Sequence, residues 1–169
     1  KVQFIFQDPF SSLNPRIAIG PAIMEVMRVH GIETKKTQRK NAALELLGKV
    51  GLEPEHFDRY PHEFSGGQRQ RIGLARSLAT GPELIICDES VSSLDVSVQA
   101  MILNLLNDLK DSLNLTYLFI SHDLSVVKYM SGHILVMKDG KLVEQGTGEE
   151  IFSAPSSNYT KELIDSILD

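Results

Sequence analysis

The sequence predicts an α/β fold: a parallel sheet with flanking helices, plus a helical subdomain inserted after the first strand. Three observations carry this expectation. The apolar runs 84–87 (LIIC) and 117–120 (YLFI) are joined by a long amphipathic stretch over 96–113, and strand, helix, strand over that span makes a parallel crossover. Residues 1–7 (KVQFIFQ) set Val2, Phe4 and Phe6 on one face at period two, the pattern of a strand entering a buried sheet. Between that strand and the crossover, helical stretches recur at 21–30, 37–50 and 68–80.

Taken in order, 8–16 (DPFSSLNPR) is rich in the residues that set turns and reads as an exposed loop. Gly31 closes the helix 21–30. In 37–50, Ala43, Leu46, Leu47 and Val50 stand at helical spacing before Gly51. A turn-rich stretch runs to Phe64, then Gly66 and Gly67 precede a helix that Gly81 and Pro82 stop. The helix 96–113 brings Val98, Met101, Ile102, Leu105, Leu106 and Leu109 into phase. Helix 124–130, strand 133–137, the Asp139-Gly140 turn and strand 142–145 follow, the last pair as a hairpin, and 149–152 and 159–168 are helical. There is no internal repeat, low-complexity tract or linker between domains.

Composition narrows the function. The 169 residues carry 17 Lys plus Arg against 22 Asp plus Glu, a net charge of -5, which argues against a phosphate backbone as the main partner. Nucleic acid is not an expected ligand. The single cysteine, Cys87, forms no internal disulfide and reads as a small buried hydrophobe in a reducing setting. The five methionines read as core filling, and His30, His56, His62 and His133 as surface or packing residues. No apolar run approaches the roughly 20 residues that cross a bilayer, so any membrane link runs through a partner rather than by direct insertion.

Several residue types are compatible with phosphate chemistry. Read alone, a strand-end acid pair is more often a helix cap or loop charge, a strand-end histidine is usually structural, and Gln7 is equally an exposed polar strand end. Asp88 and Glu89 end the strand LIICDE on its carboxyl side, where open α/β sheets set their ligand sites. Adjacent carboxylates there suit Mg²⁺ and water: Asp88 for the metal or its waters, Glu89 to polarise a water for attack on a phosphate. After Ser65, the missing side chains of Gly66 and Gly67 let backbone N–H groups approach phosphate oxygens at a helix start, and Ser65 adds a hydroxyl. Ser65 also reads as a plain helix cap. His122 follows TYLFIS at another strand end, where an imidazole can donate to a γ-phosphate oxygen. The amide oxygen of Gln7 suits Mg²⁺ or the attacking water, and Asp95 suits the cap of the helix from Val96.

The run FSGGQRQRIGLARSLA at 64–79 resembles the signature of ABC-type ATPases. In order and spacing, Gln7 resembles that family's Q-loop, Ser65 to Gln68 its signature, Leu84 to Glu89 its Walker B, Ser93-Leu94-Asp95 its D-loop and His122 its switch histidine. The resemblance covers essentially the whole chain, and DPFSSLNPR with PSSNYTKELI is similar to the oligopeptide and dipeptide importer branch. It implies a P-loop NTPase-like sheet with a signature subdomain, and ATP with Mg²⁺ as the bound nucleotide and metal. It further implies Glu89 and His122 as catalytic groups, Gln7, Ser65, Gly66, Gly67, Gln68 and Asp95 as nucleotide contacts, and Asp88 with Gln7 at the metal. The implied partners are a second ABC ATPase subunit in a head-to-tail dimer and membrane permease subunits, on the cytoplasmic face of the cell membrane. By the same resemblance 8–80 is the loop, helical subdomain and signature helix, 1–7 with 81–147 a partial catalytic core, and 148–169 a helical tail.

The sequence departs from the family in three ways. No G-x-x-x-x-G-K-[ST] occurs in the 169 residues, so the chain is expected to be the portion from the Q-loop onward, with the N-terminal part of the fold missing. Weak or no ATPase activity is expected of these residues alone. Ser90 stands where this branch usually has Pro, and Ser93 where Ala is usual; a serine at 90 frees φ and restores an N–H, so Glu89 is aimed less rigidly. The expected function is the ATP-binding subunit of a peptide-type ABC importer. A soluble ABC ATPase acting on DNA or ribosomes predicts basic patches or coiled-coil insertions, and neither is visible. A truncated non-catalytic fragment that acts only by interaction is the third reading.

Overall fold

Three parallel strands, β1 (Val2–Ile5), β2 (Leu84–Asp88) and β3 (Thr116–Ile120), form a sheet in the order β1-β2-β3. In this computed structural model, which describes residues 1–6, 13–92 and 94–168, rows such as Phe4–Ile86–Leu118 run straight across it. The described residues fall into two compact units, Lys1–Ile120 and Ser121–Asp169.

In the first unit, α1 (Ile19–Val29) and α2 (Lys36–Lys49) pack with two short 3-10 turns, Pro54–Asp58 and Pro61–Glu63, against α3 (Gly66–Leu78). Ala43, Leu47 and Val50 are buried as their spacing predicts, together with Ile19, Ile23 and Met27 of α1. The 3-10 turns, expected only as a turn-rich stretch, are each held by a residue pair. The Glu53 N–H donates to His56 Nδ1 (2.9 Å) and the Tyr60 N–H to Glu63 Oε2 (2.6 Å). Helix α4 (Val96–Leu113) connects β2 to β3 as the expected crossover.

Burial corrects the reading of three patterns. Val2, Phe4 and Phe6 are exposed, Phe4 at 52%, although their period-two spacing predicted burial; the buried side carries Ile5, Ile85 and Cys87. On α4 the buried stripe is Ile102, Leu103, Leu106 and Leu109, and Met101 is exposed. The helix is rotated so that residue 103, not 101, completes the inward face. Among the methionines Met27 is buried while Met101 and Met137 are exposed, so only part of that set fills core.

In the second unit α5 (Leu124–Met130) precedes an antiparallel hairpin, β4 (His133–Lys138) and β5 (Lys141–Thr147). Asp139 and Gly140 both have positive φ (50° and 72°), which is what a two-residue hairpin turn requires and why Asp-Gly announces it. Helices α6 (Gly148–Ser153) and α7 (Asn158–Leu168) finish the chain. Ile134, Val136 and Ile151 form the core of this unit, with Val127, Phe152, Tyr159 and Leu163 packed on it.

Glu144 on β5 fastens the approach to α7. Its carboxylate accepts from Ser156 N–H (2.7 Å), Ser156 Oγ (2.8 Å) and Ser157 N–H (3.1 Å). The buried Thr160 hydroxyl, which lacks a regular hydrogen-bond partner, faces the same carboxylate. Thr160 first, then the Ser156 N–H, hold the Glu144 pKa down at about 2. A depressed carboxylate stabilises above its unfolded value, roughly 4.3, and loses that contribution as pH falls toward the folded value. Amide protection in α7, taken relative to intrinsic exchange at each pH, is therefore expected to fall between about pH 4 and pH 2 and to be flat over that window in Glu144→Gln. A wild-type profile that is already flat there contradicts this fastening.

Candidate functional site

The signature residues sit at the start of α3, and a capping box explains their geometry. Gln68 N–H donates to Ser65 Oγ (3.4 Å), and Ser65 N–H donates to Gln68 Oε1 (3.0 Å). This has a chemical consequence. Because both oxygens are engaged as acceptors, the Ser65 O–H and the Gln68 side-chain NH₂ are left to act as donors. The N–H groups of Gly66 and Gly67 belong to the first turn, where no intrahelical acceptor exists. Four donor groups thus collect at one positive helix end, an arrangement suited to an anion with several oxygens. The helix begins at Gly66, two residues earlier than the spacing predicts, because the Ser65 cap extends it.

Asp88 is the last residue of β2 and exposed, at the carboxyl end of the sheet as expected. Glu89 then leaves the strand with φ 46°, a left-handed backbone that costs a non-glycine residue about 1–2 kcal/mol. Neighbouring hydrogen bonds hold the turn. Glu89 N–H donates to the Ile120 carbonyl (3.0 Å), while Ser92 N–H (3.1 Å) and Ser92 Oγ (2.9 Å) donate to the Glu89 carbonyl. Behind it Ser90 is buried at 2% exposure and its hydroxyl faces the Cys87 thiol. Burial pushes that thiol up to about 12, with a smaller opposing effect from Ser90. Cys87 is therefore the inert small hydrophobe its strand implies.

The loop from Glu89 leads into α4, whose cap is Asp95 as predicted. Asp95 Oδ1 accepts from Val98 N–H (3.0 Å) and Ser97 Oγ (2.7 Å), and these bonds, Ser97 first, hold its carboxyl below the usual range. The starts of α3 and α4 adjoin: a Cβ on Gly66 would meet Leu94 Cδ2 at 3.7 Å. The structure thus brings Ser65 to Gln68 beside Leu94 and Asp95, and one short loop ties them to Asp88 and Glu89. His122 lies in the second unit, between β3 and α5, exposed and next to the Asp123 that caps α5. Gln7, the first residues of the 8–16 loop and Ser93 lie outside the described residues.

One feature was not read from sequence. A cleft of about 600 Å³ opens between β1, α1 and α3, lined among others by Phe4, Val26, His30, Gly73 and Arg76, and none of the residues of the acid pair or signature lines it. Its walls come from distant segments, so no local pattern announces it. Among the described residues no three His, Cys, Asp or Glu side chains cluster as a metal cage. A single exposed carboxylate such as Asp88 is compatible with Mg²⁺, which takes one or two carboxylates and completes its shell with water and other oxygens.

The described residues make an α/β protein with acids at the carboxyl end of a parallel sheet and a donor-rich helix start. Residues 1–92 match the ABC transporter family, and the chain belongs to that family. It is 53% identical over 167 residues to the oligopeptide transport ATP-binding protein OppF of Bacillus subtilis (strain 168), covering 99% of this chain and 55% of the relative. It is 50% identical over 164 residues to the dipeptide transport ATP-binding protein DppF of Escherichia coli (strain K12), covering 97% and 49%. The chain spans about half the length of the curated relatives it matches. Among solved structures it is similar to an inward-facing metal-chelate type ABC transporter, with TM-score 0.80 and 27% identity over 98% of this chain and 63% of that one. No described helix is long and apolar enough to cross a membrane.

Proposed function

We propose that these residues are part of the ATP-binding subunit of an ABC importer for oligopeptides or dipeptides, and that they work by offering the Ser65 to Gln68 turn to nucleotide. The observation that carries this is the capping box, which leaves the Ser65 hydroxyl and the Gln68 amide as donors beside two helix-start N–H groups. The identities to oligopeptide and dipeptide transport proteins support the substrate class. ATP is the substrate. Asp88 and Gln7 would hold Mg²⁺, which would supply neutralisation of the phosphate charge.

Glu89 takes the proton of the attacking water, and the left-handed backbone at this residue is a strain kept at the position of the chemistry. His122 donates to a γ-phosphate oxygen as negative charge builds there. The signature turn contacts phosphate held by a second, head-to-tail subunit, as in the ABC family to which the chain belongs. Helices of 8–80 pass the closure to permease subunits at the cytoplasmic membrane face, 1–7 and 81–147 contribute to the catalytic core, and 148–169 form the tail.

The test uses the chain as it stands. By itself it is expected to show no ATP turnover above buffer. Added to an intact relative that carries a P-loop, such as the Bacillus subtilis OppF protein, it is expected to raise turnover, and Ser65→Arg is expected to abolish the gain by filling the donor turn. Absence of any gain at saturating chain ends the proposal.

A further inference from the structure

The two glycines of the signature stand in different surroundings. On Gly66 a Cβ would meet only Leu94 Cδ2, at 3.7 Å, an ordinary van der Waals contact. On Gly67 it would overlap Val98 Cγ1, with Val98 Cβ at 3.7 Å and Cγ2 at 3.9 Å behind it. Gly67 is buried, and what it is buried against is its own chain, 31 residues further on. The obstacle is rigid. Val98 is β-branched, so in a helix its χ1 is nearly fixed, and its N–H is pinned by the Asp95 cap at 3.0 Å.

We propose that Val98 is a positioning residue: held by the Asp95 cap, its methyl forms the seat on which Gly67 rests and so sets the aim of the Ser65 to Gln68 donors. The contact joins Asp95 to the signature inside one chain. Whatever strains the Asp95 cap shifts Val98, and with it the turn. The role of the turn in turnover rests on the function proposed above, whereas the seat itself is a statement about packing.

Gly67→Ala, Val98→Ala, their double variant and Gly73→Ala separate these claims. Gly73, in the same helix, has nothing within 4 Å of a Cβ and serves as the control. The readouts are amide exchange over residues 65–69 and stimulation of the P-loop-bearing relative across chain concentrations. Gly67→Ala is expected to speed exchange about tenfold and to lower the plateau of stimulation about tenfold, the scale of an overpacked core site. Its half-saturating concentration is expected to stay within about twofold, because displaced donors weaken the transition state whereas partial unfolding dilutes the active chain. Val98→Ala in the double variant is expected to bring both readouts back to within about threefold of Val98→Ala alone. Gly73→Ala is expected to behave as wild type. Failure of the double variant to restore exchange overturns the proposal. If exchange recovers but wild-type chain never stimulates the relative, the seat stands and the donation of the turn falls.

Discussion

The chain is expected to self-associate through one face of its sheet, and Phe4→Ser combined with Leu118→Ser is expected to leave a monomer of 18.8 kDa. The two side chains lie in one row of the sheet, with Ile86 between them, and are 52% and 46% exposed. Val2 and Ile120, on the same side, are also exposed. Parallel sheets are ordinarily covered on both faces, so an apolar face of this kind is a driving force for association rather than a neutral surface. The edge adds to it, since β3 ends the sheet order and carries an apolar TYLFI run. Burying a large apolar side chain contributes about 1.5–3 kcal/mol, so loss of two weakens association by about two orders of magnitude or more. Sedimentation across a dilution series measures this. Far-ultraviolet circular dichroism should stay unchanged because neither residue fills the core. Undiminished association in the double variant would locate the sticky surface elsewhere.

Ile85→Ala is expected to destabilise the first unit by about 2–5 kcal/mol, the range for deleting most of a buried aliphatic side chain. Ile85 is wholly buried in the central strand, paired with Gln3 on one side and Tyr117 on the other. Sheet neighbours constrain the backbone on both flanks, so little collapse into the cavity is available and the upper half of the range applies. Val96→Ala is the comparison. It removes a similar side chain from the first turn of α4, but Val96 is 82% exposed and the change should stay within about 0.5 kcal/mol. Urea unfolding followed by circular dichroism distinguishes the two, and equal effects would mean that β2 is not central to the packing.

Local patterns in the sequence were legible where a single element decides the outcome. The Asp139-Gly140 hairpin and the Asp95 cap formed as expected because φ preference and capping act within a few residues. Asp88 stands at a strand end because an apolar run terminates there. What periodicity could not supply is what lies over a face. Val2, Phe4 and Phe6 make an apolar side, yet their exposure depends on helices contributed from elsewhere. The same limit hid the Gly67 to Val98 contact and the cleft beneath α1, since each joins residues far apart in the chain. At the site, Ser65 announced a helix cap but not that α3 begins at Gly66, and the left-handed Glu89 backbone could not be read, because glutamate has no preference for that conformation.

Cys87 gives the molecule a built-in timer. It is the lone sulfhydryl of the chain, sealed in the middle strand one residue before Asp88, and its elevated pKa leaves almost no thiolate while the strand is closed. Reaction with an alkylating reagent can proceed only through opening of β2. The labelling rate therefore clocks how often the strand that presents the acid pair comes apart, without any engineered probe.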